Sequence, residues 1–351
     1  MRAEEKFEII TDSYRLDEKG LCMKKTSKVL AGVLSCALAL VCVVGLSACG
    51  DEGTEQNAGG KKVAMVLNAP VNDGGWCASC YDAMKIAADK AGWQTAYSES
   101  VPQADWISTY QSYVDQDYDL IIAPGNEYVD AVKQVAKDNP DARFCIFNAD
   151  VSDVDNIECT APDTAQIGQI AGVLAGLMTK TNNVGFIGGV ELDTTIQKID
   201  GFTEAAKKVN PDCEVATAFA GSFSDAAKGK ELANSMLNNK NCDVLFGDAS
   251  IVDTGAREAV AAAGEGHYDI GQPSDLGSAD DQVIINSVVT DMSKMCEQVL
   301  NDVDNDTFGK KTVVGNLEND CVHPGTMSNI VPDDVQKLFA EYLEQIKNGQ
   351  F

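Results

Sequence analysis

The stretch VGFIGGVELDTTIQKIDGFTEAAKKVNPDCEVATAF, residues 184–219, decides the fold. VGFIG at 184–188 is a short apolar block that runs into paired glycines, and EVATAF at 214–219 is a second block. Between them Ile199, Phe202, Ala206 and Val209 recur at helical spacing. A strand, a helix and a strand in so short a span predict a βαβ unit with its two strands parallel.

The same alternation extends in both directions. VAMVLN at 63–68, DLIIA at 119–123, RFCIF at 143–147, DVLFG at 243–247 and VIINSVV at 283–289 are further compact apolar runs. Helical stripes fall between and after them: Tyr81, Met84 and Ala88 within 78–91; Val129, Val132 and Ala136; Ile167, Ile170, Leu174 and Met178. Met292, Met295, Val299 and Leu300 mark another, and Val335, Phe339, Tyr342 and Ile346 the last. Strands written as solid blocks, not as alternation, suit a parallel sheet covered by helices on both faces. Small or hydrogen-bonding residues recur where these strands end: Asn68-Ala69-Pro70, Pro124-Gly125-Asn126, Asn148-Ala149-Asp150, Gly188-Gly189, Gly221-Ser222-Phe223, Gly247-Asp248 and Gly271-Gln272. In open α/β sheets the carboxyl ends of the strands border the ligand crevice. Turn chemistry favours the same residue types, so the weight lies in the set and not in any one member.

Length and charge narrow the function. The 351 residues exceed what one ordinary core organises, which predicts two lobes. With 27 Lys+Arg against 54 Asp+Glu, the formal net charge is -27, which disfavours a surface that tracks nucleic-acid phosphates. The break between lobes is expected near 160–163. The first lobe is then 61–162 with a return segment near 275–303, and the second is 163–274 with a C-terminal segment near 304–349.

Residues 29–46, VLAGVLSCALALVCVVGL, carry no charge. Lys24, Lys25 and Lys28 precede them and Leu46-Ser47-Ala48-Cys49 follows. A basic end, an apolar stretch and a small-residue exit make an export signal, and a cysteine directly after it offers a thiol for acylation. The pattern resembles the lipobox of bacterial lipoproteins; a retained membrane helix is the competing reading. Residues 23–48 are thus the expected signal peptide, Cys49 the lipidated residue, and 49–60 a polar tether. Residues 1–22 are charged and mixed, as an upstream start assigned in error would be. The expected location is the extracytoplasmic face of the cell membrane, held by lipid.

Four stretches carry a resemblance to a known family. They are VAMVLNAPVNDGGWCASCYDAMKIAADKAG at 63–92, DLIIAPGNEYVDAVKQVAKDNPDARFCIFN at 119–148, IGQIAGVLAGLMTKTNNVGFIGGVELDTTIQKIDGFTEAAKKVNPDCEV at 167–215, and GSFSDAAKGKELANSMLNNKNCDVLF at 221–246. Together they resemble the basic membrane lipoprotein family, solute-binding proteins of the purine-nucleoside receptor type. The resemblance implies an α/β, type I periplasmic binding protein fold: two Rossmann-like lobes with parallel sheets, joined by three crossovers, with a ligand cleft between them. It also implies delivery of the captured solute to an ABC transporter permease, with no enzymatic turnover and no cofactor. Relatives hold purine nucleosides between stacked aromatics, with acid and amide side chains on the ribose.

Position by position, Trp76 stands where the family has the Phe of a Phe-Asn pair, and Phe223 falls on the aromatic of GSF. Asp73 matches the acid before that pair, and Asn68 takes a place where Asp is common. Asn126, Asn148, Asp248 and Asp275 complete the expected ligand set. Cys77 departs from the family by replacing an amide, 248–251 by adding bulk and charge, Pro273 by replacing an Asp, and Val289 by replacing a Lys. Those departures keep a sugar or another small polar metabolite open as the ligand, with a nucleoside favoured.

The twelve cysteines leave eight in the exported body, an even number that permits disulfides. Cys213 and Cys242 both begin strands expected to be neighbours and are the first pair to consider. Cys77-Ala78-Ser79-Cys80 is a CxxC at a helix start, so an extracytoplasmic thiol–disulfide protein is the alternative from another class. His267 and His323 are the only histidines, neither at metal-ligand spacing, and no nucleophile elbow or phosphate loop occurs, so no metal site is expected.

Overall fold

A computed structural model describes residues 60–72, 76–151 and 153–351. The expected signal peptide, the lipidated Cys49, nearly all of the tether and Asp73 lie outside the described residues.

The first lobe starts with strand β1 (Lys62–Val66), helix α1 (Trp76–Ala91), β2 (Gln94–Ser98), α2 (Trp106–Asp115), β3 (Leu120–Ala123), α3 (Val129–Asp138), β4 (Phe144–Phe147) and β5 (Ile157–Pro162). The second repeats the plan with α4 (Thr164–Met178), β6 (Asn183–Gly188), α5 (Asp193–Val209), β7 (Glu214–Phe219), α6 (Ala226–Asn239), β8 (Val244–Asp248), α7 (Ile251–Ala263), β9 (Tyr268–Gly271) and β10 (Ile284–Thr290). The chain then returns with α8 (Met292–Asp304), β11 (Lys311–Gly315), β12 (Val322–Pro324) and α9 (Asp333–Lys347). The described residues form two six-stranded sheets, ordered β11-β5-β4-β3-β1-β2 and β12-β10-β9-β8-β6-β7. Every pairing is parallel except β10 with β12.

Burial on both faces explains the solid strand blocks. In β1, Val63 and Met65 pack toward α1 and α8, whereas Ala64 and Val66 pack toward α2 and α3. In the second lobe, Val184 and Phe186 of β6 face α4, α5 and α9, and Ile187 faces α6 and α7. Helices α4 and α5 touch backbone to backbone, because a Cβ on Gly172 would stand 2.3 Å from the Phe202 carbonyl oxygen. Only glycine permits that approach.

Sheet membership moves two expected boundaries. Strand β10 pairs within the second sheet and β11 within the first, so the return segment runs over 291–315, not 275–303, and the C-terminal segment of the second lobe follows it. The chain crosses between lobes at Asp163, at Asp291 and over 316–321. Asp163 and Asp291 cap α4 and α8, accepting from Gln166 N at 3.0 Å and Ser293 N at 3.0 Å. The crossings also bond to one another. Asp163 N donates to Gly315 O at 2.7 Å, Leu317 N to Gln166 Oε1 at 3.0 Å and Asp291 N to Cys321 O at 2.7 Å.

The disulfide expectation does not hold. Cys213 and Cys242 are free thiols, one in the cluster under α4, α5 and α9 and the other in that under α6 and α7. Burial pushes them up to about 11 and about 12.

Candidate functional site

Each sheet has the strand order 2-1-3-4-5 over its first five strands, so the topological switch point lies between β1 and β3 in the first lobe and between β6 and β8 in the second. Ligands in such sheets settle outside the carboxyl ends at that point. All three crossings leave from the carboxyl ends of β5, β10 and β11, which puts the switch-point rims on the hinge side of each lobe.

On the first rim, Asn68 follows β1 and Asn126 follows β3. Trp76 opens α1 and its indole N–H donates to the carbonyl of Pro124, so the ring bridges the switch point while remaining 44% exposed. Asn68 Nδ2 lies 3.4 Å from Glu127 Oε1, and Cys77 Sγ lies 3.3 Å from Asn68 Oδ1. Asn148 follows β4, exposed and in the left-handed region at φ 53°. Trp76, Asn68 and Asn126 thus gather on adjacent strands, with Asn148 one strand further along.

On the second rim, Phe223 is 42% exposed and its ring lies over Gly189, where a Cβ would stand 2.4 Å from the ring. Gly189 N donates to Asp248 O at 3.0 Å across the switch point. Asp248 is not an open carboxylate. Lys198 Nζ from α5 reaches Asp248 Oδ1 at 2.7 Å, Thr195 Oγ1 reaches Oδ2 at 3.0 Å, and Gln272 Nε2 approaches Oδ1 at 3.3 Å. Gln272 Oε1 in turn accepts from Lys198 at 3.1 Å. Asp275 is likewise committed: its carboxylate accepts from Thr326 N at 2.9 Å and from Thr326 Oγ1 at 2.6 Å, pinning the loop after β9 to the chain beyond β12.

Glu127, Thr195 and Lys198 are rim residues that the sequence reading missed, and Gln272 entered it only as a strand end. Lys198 offered the best signal, as a lysine close to the Ile199–Phe202 stripe of a helix whose other lysines, Lys207 and Lys208, stand in its last turn. Beside Asp248, Asp253 in the first turn of α7 accepts from Ala249 N at 2.8 Å, and burial pushes its carboxyl up to about 7.

Both cysteines of the CxxC are buried thiols. Cys77 is 3% exposed and Cys80 wholly buried against α8, which closes both sulfurs to a bulky disulfide partner. Among the described residues no group of three or more potential ligands could hold a metal ion, and no helix is long and apolar enough to cross a membrane. An open depression of about 510 Å³, lined by Lys137, Arg143, Asp153 and Asp155, lies at the amino ends of β4 and β5, away from the rim.

Two hinged α/β lobes whose switch points share one side define a solute-binding protein of the type I periplasmic binding kind. Residues 60–350 match the Bmp family, the PnrA-like substrate-binding proteins of ABC transporters, and the chain belongs to that family. It is a family of binding proteins, not of enzymes. Among curated relatives, the ABC transporter nucleoside-binding protein BmpA of Lactococcus lactis is 33% identical over 228 residues, covering 62% of this chain and 65% of that protein's length. Among solved structures, a transcriptional activator of the comK gene from Bacillus halodurans superposes with a TM-score of 0.73 at 23% identity, covering 83% of this chain and 99% of its own. An ABC transporter solute-binding protein from Conexibacter woesei gives 0.68 at 23% identity, covering 83% and 97%. Both structures are alike in fold.

Proposed function

We propose that the protein captures a nucleoside between its two lobes and passes it to an ABC transporter permease, anchored to the outer face of the cell membrane through acylated Cys49. One observation carries the reading: each lobe places a half-exposed aromatic ring at its switch point, Trp76 on the first and Phe223 on the second. Both rings stay exposed although the chain has ample core to bury them. A flat base held between two such rings gains roughly 1–3 kcal/mol per ring from stacking and water exclusion. Asn68, Asn126 and Asn148, with Asp73, offer donors and acceptors for ribose hydroxyls and the base edge. Asp248 takes part as one half of its ion pair with Lys198, and Asp275 serves the fold. The name of the Lactococcus lactis relative supports the same ligand class. Closure about the three crossings brings both rims onto the solute, and that closed surface is what a permease can distinguish from the empty protein.

Titration calorimetry of the purified chain against nucleosides, free bases and sugars tests the reading. Micromolar or tighter binding of a nucleoside, weakened at least tenfold by Trp76→Ala, is expected. Binding of a free sugar with no nucleoside affinity replaces the ligand, and unchanged affinity in Trp76→Ala removes the stacking role. Acyl labelling that persists in Cys49→Ala defeats the anchor.

A further inference from the structure

The depression at the amino ends of β4 and β5 lies at the opposite end of the first sheet from the switch-point rim, and its lining holds an unanswered charge. Of the two arginines among the described residues, Arg257 pairs with Asp269 at 2.8 Å. Arg143, half-buried just before β4, forms no ion pair among the described residues, although the chain carries 54 acidic side chains against 27 basic ones. Three carboxylates line the same depression. Two of them are answered from outside it: Lys133 Nζ reaches Asp153 Oδ1 at 2.7 Å, and Lys310 Nζ reaches Asp155 Oδ1 at 3.1 Å. Lys137 is a second lining cation without an ion pair among the described residues, and Asp141 is the remaining acid.

Both walls are built. Asn156 Nδ2 reaches the carbonyls of Ala136 at 3.1 Å, Asn139 at 3.0 Å and Ala142 at 2.8 Å, which ties the turn between α3 and β4 to the chain entering β5. On the other side Phe308 packs, partly buried, against the α1–α8 cluster. Its loop is fixed by Thr307 Oγ1 donating to Asp302 at 2.8 Å and Gly309 N donating to Glu158 at 3.2 Å.

We propose that this depression is a second binding site, which takes a small, singly charged carboxylate bearing hydroxyl groups, with Arg143 as its anchor. A guanidinium presents paired N–H donors in the plane that a carboxylate needs, and partial burial limits the screening that makes surface ion pairs weak. The volume of about 510 Å³ is that of a small-molecule pocket. With Asp153 and Asp155 already paired, Arg143 and Lys137 stand against Asp141 alone, so the lining favours a monoanion over a more highly charged one. Carboxylate oxygens of the aspartates accept from hydroxyl groups, and Phe308 offers apolar contact to the carbon face of a ring. A sugar acid combines these features. The site is separate from the cleft and does not rest on the nucleoside reading.

The test titrates D-glucuronate into the purified chain and follows the arginine Nε–H and backbone amide resonances by NMR, with acetate and glucose as controls. The Arg143 Nε–H and amides of 136–156 should shift saturably, with a Kd on the order of 1 mM, while Arg257 stays still. Acetate, which lacks the hydroxyls, should bind about tenfold more weakly, and glucose, which lacks the charge, should not bind. Arg143→Gln should abolish the saturable amide shifts, and Arg143→Lys, which keeps the charge without the fork, should weaken them about tenfold. Adenosine affinity should stay within twofold in both variants. Absence of saturation, Arg257 shifting in parallel, acetate binding as well as glucuronate, or shifts that persist in Arg143→Gln would each overturn the proposal and leave the reading of the cleft untouched. If Arg143→Gln melts below the parent, the parent titration with its three probes decides.

Discussion

Replacing Glu158 with glutamine should abolish a loss of stability between about pH 5 and pH 8. Glu158 is wholly buried in β5, beside β11 and α8. Its Oε2 accepts from Gly309 N at 3.2 Å, and Lys311 Nζ stands 3.9 Å away and also reaches Asp302 at 2.9 Å. Burial first, then the neighbouring Asp302, pushes the Glu158 carboxyl up to about 8, against a usual 4.5. The folded protein therefore holds a proton that the unfolded chain has released throughout that window. The contribution is complete below the unfolded value and drains away as pH rises toward the folded one. At roughly 1.4 kcal/mol per unit, the window from pH 5 to pH 8 is worth on the order of 4 kcal/mol.

Glutamine reproduces the protonated acid, keeping an oxygen for Gly309 and gaining a donor for Asp302 without a charge. Urea unfolding followed by tryptophan fluorescence at pH 5, 6, 7 and 8 gives the comparison. Parent and Glu158→Gln should agree near pH 5 and diverge upward, the variant leading by 2 kcal/mol or more at pH 8, about half of the linkage figure. Asp253, raised to about 7, and Asp269, raised to about 6, act with the same sign in both proteins, so the difference isolates Glu158. Parallel curves across the four pH values would refute the reasoning.

Gly172→Ala should lower stability by about 2 kcal/mol or more in thermal melting, since its methyl meets the Phe202 carbonyl and must part α4 from α5. Lys198→Met should cost about 1–3 kcal/mol, below the figure for a fully buried pair because Asp248 keeps 24% of its side chain exposed, and Asp248→Asn added to it should recover part of the loss in a double-mutant cycle. Cys213, Cys242 and Cys296, all buried with thiols pushed up to about 11 or 12, should resist a thiol reagent at pH 8 until denaturant is added, and a reductant should leave the melting temperature unchanged.

The alternation of blocks was legible because a strand buried on both faces must be apolar at every position, and DLIIA, RFCIF and VGFIG satisfy that without reference to partners. Strand β2, read as QTAYS, escaped because it is a sheet edge with one side open and only partial burial. Strands β11 and β12 escaped for a related reason: KTVVG and VHP are short, mixed, and recruited by sheets built far earlier in the chain. That recruitment also displaced the lobe boundaries. Whether 284–290 belongs to the lobe before it or after it depends on pairing with β9, which periodicity along one strand cannot express.

The rim was legible in part, and the part that was not has a single cause. Asn68, Asn126 and Phe223 lie within a few residues of a strand end, so finding the strands brought them into view, whereas Trp76, and Phe223 as a ring for the ligand, were singled out by the family resemblance. Lys198 lies on the second turn of α5, outside any loop, and reaches Asp248 only because α4 and α5 sit close enough for a Cβ on Gly168 to strike the Lys198 carbonyl at 2.0 Å. The residue that neutralises the rim carboxylate is thus positioned by a helix–helix contact two elements away. Read along the chain, Asp248 adds a negative charge to the cleft; read in the folded lobe, its charge is already answered from below.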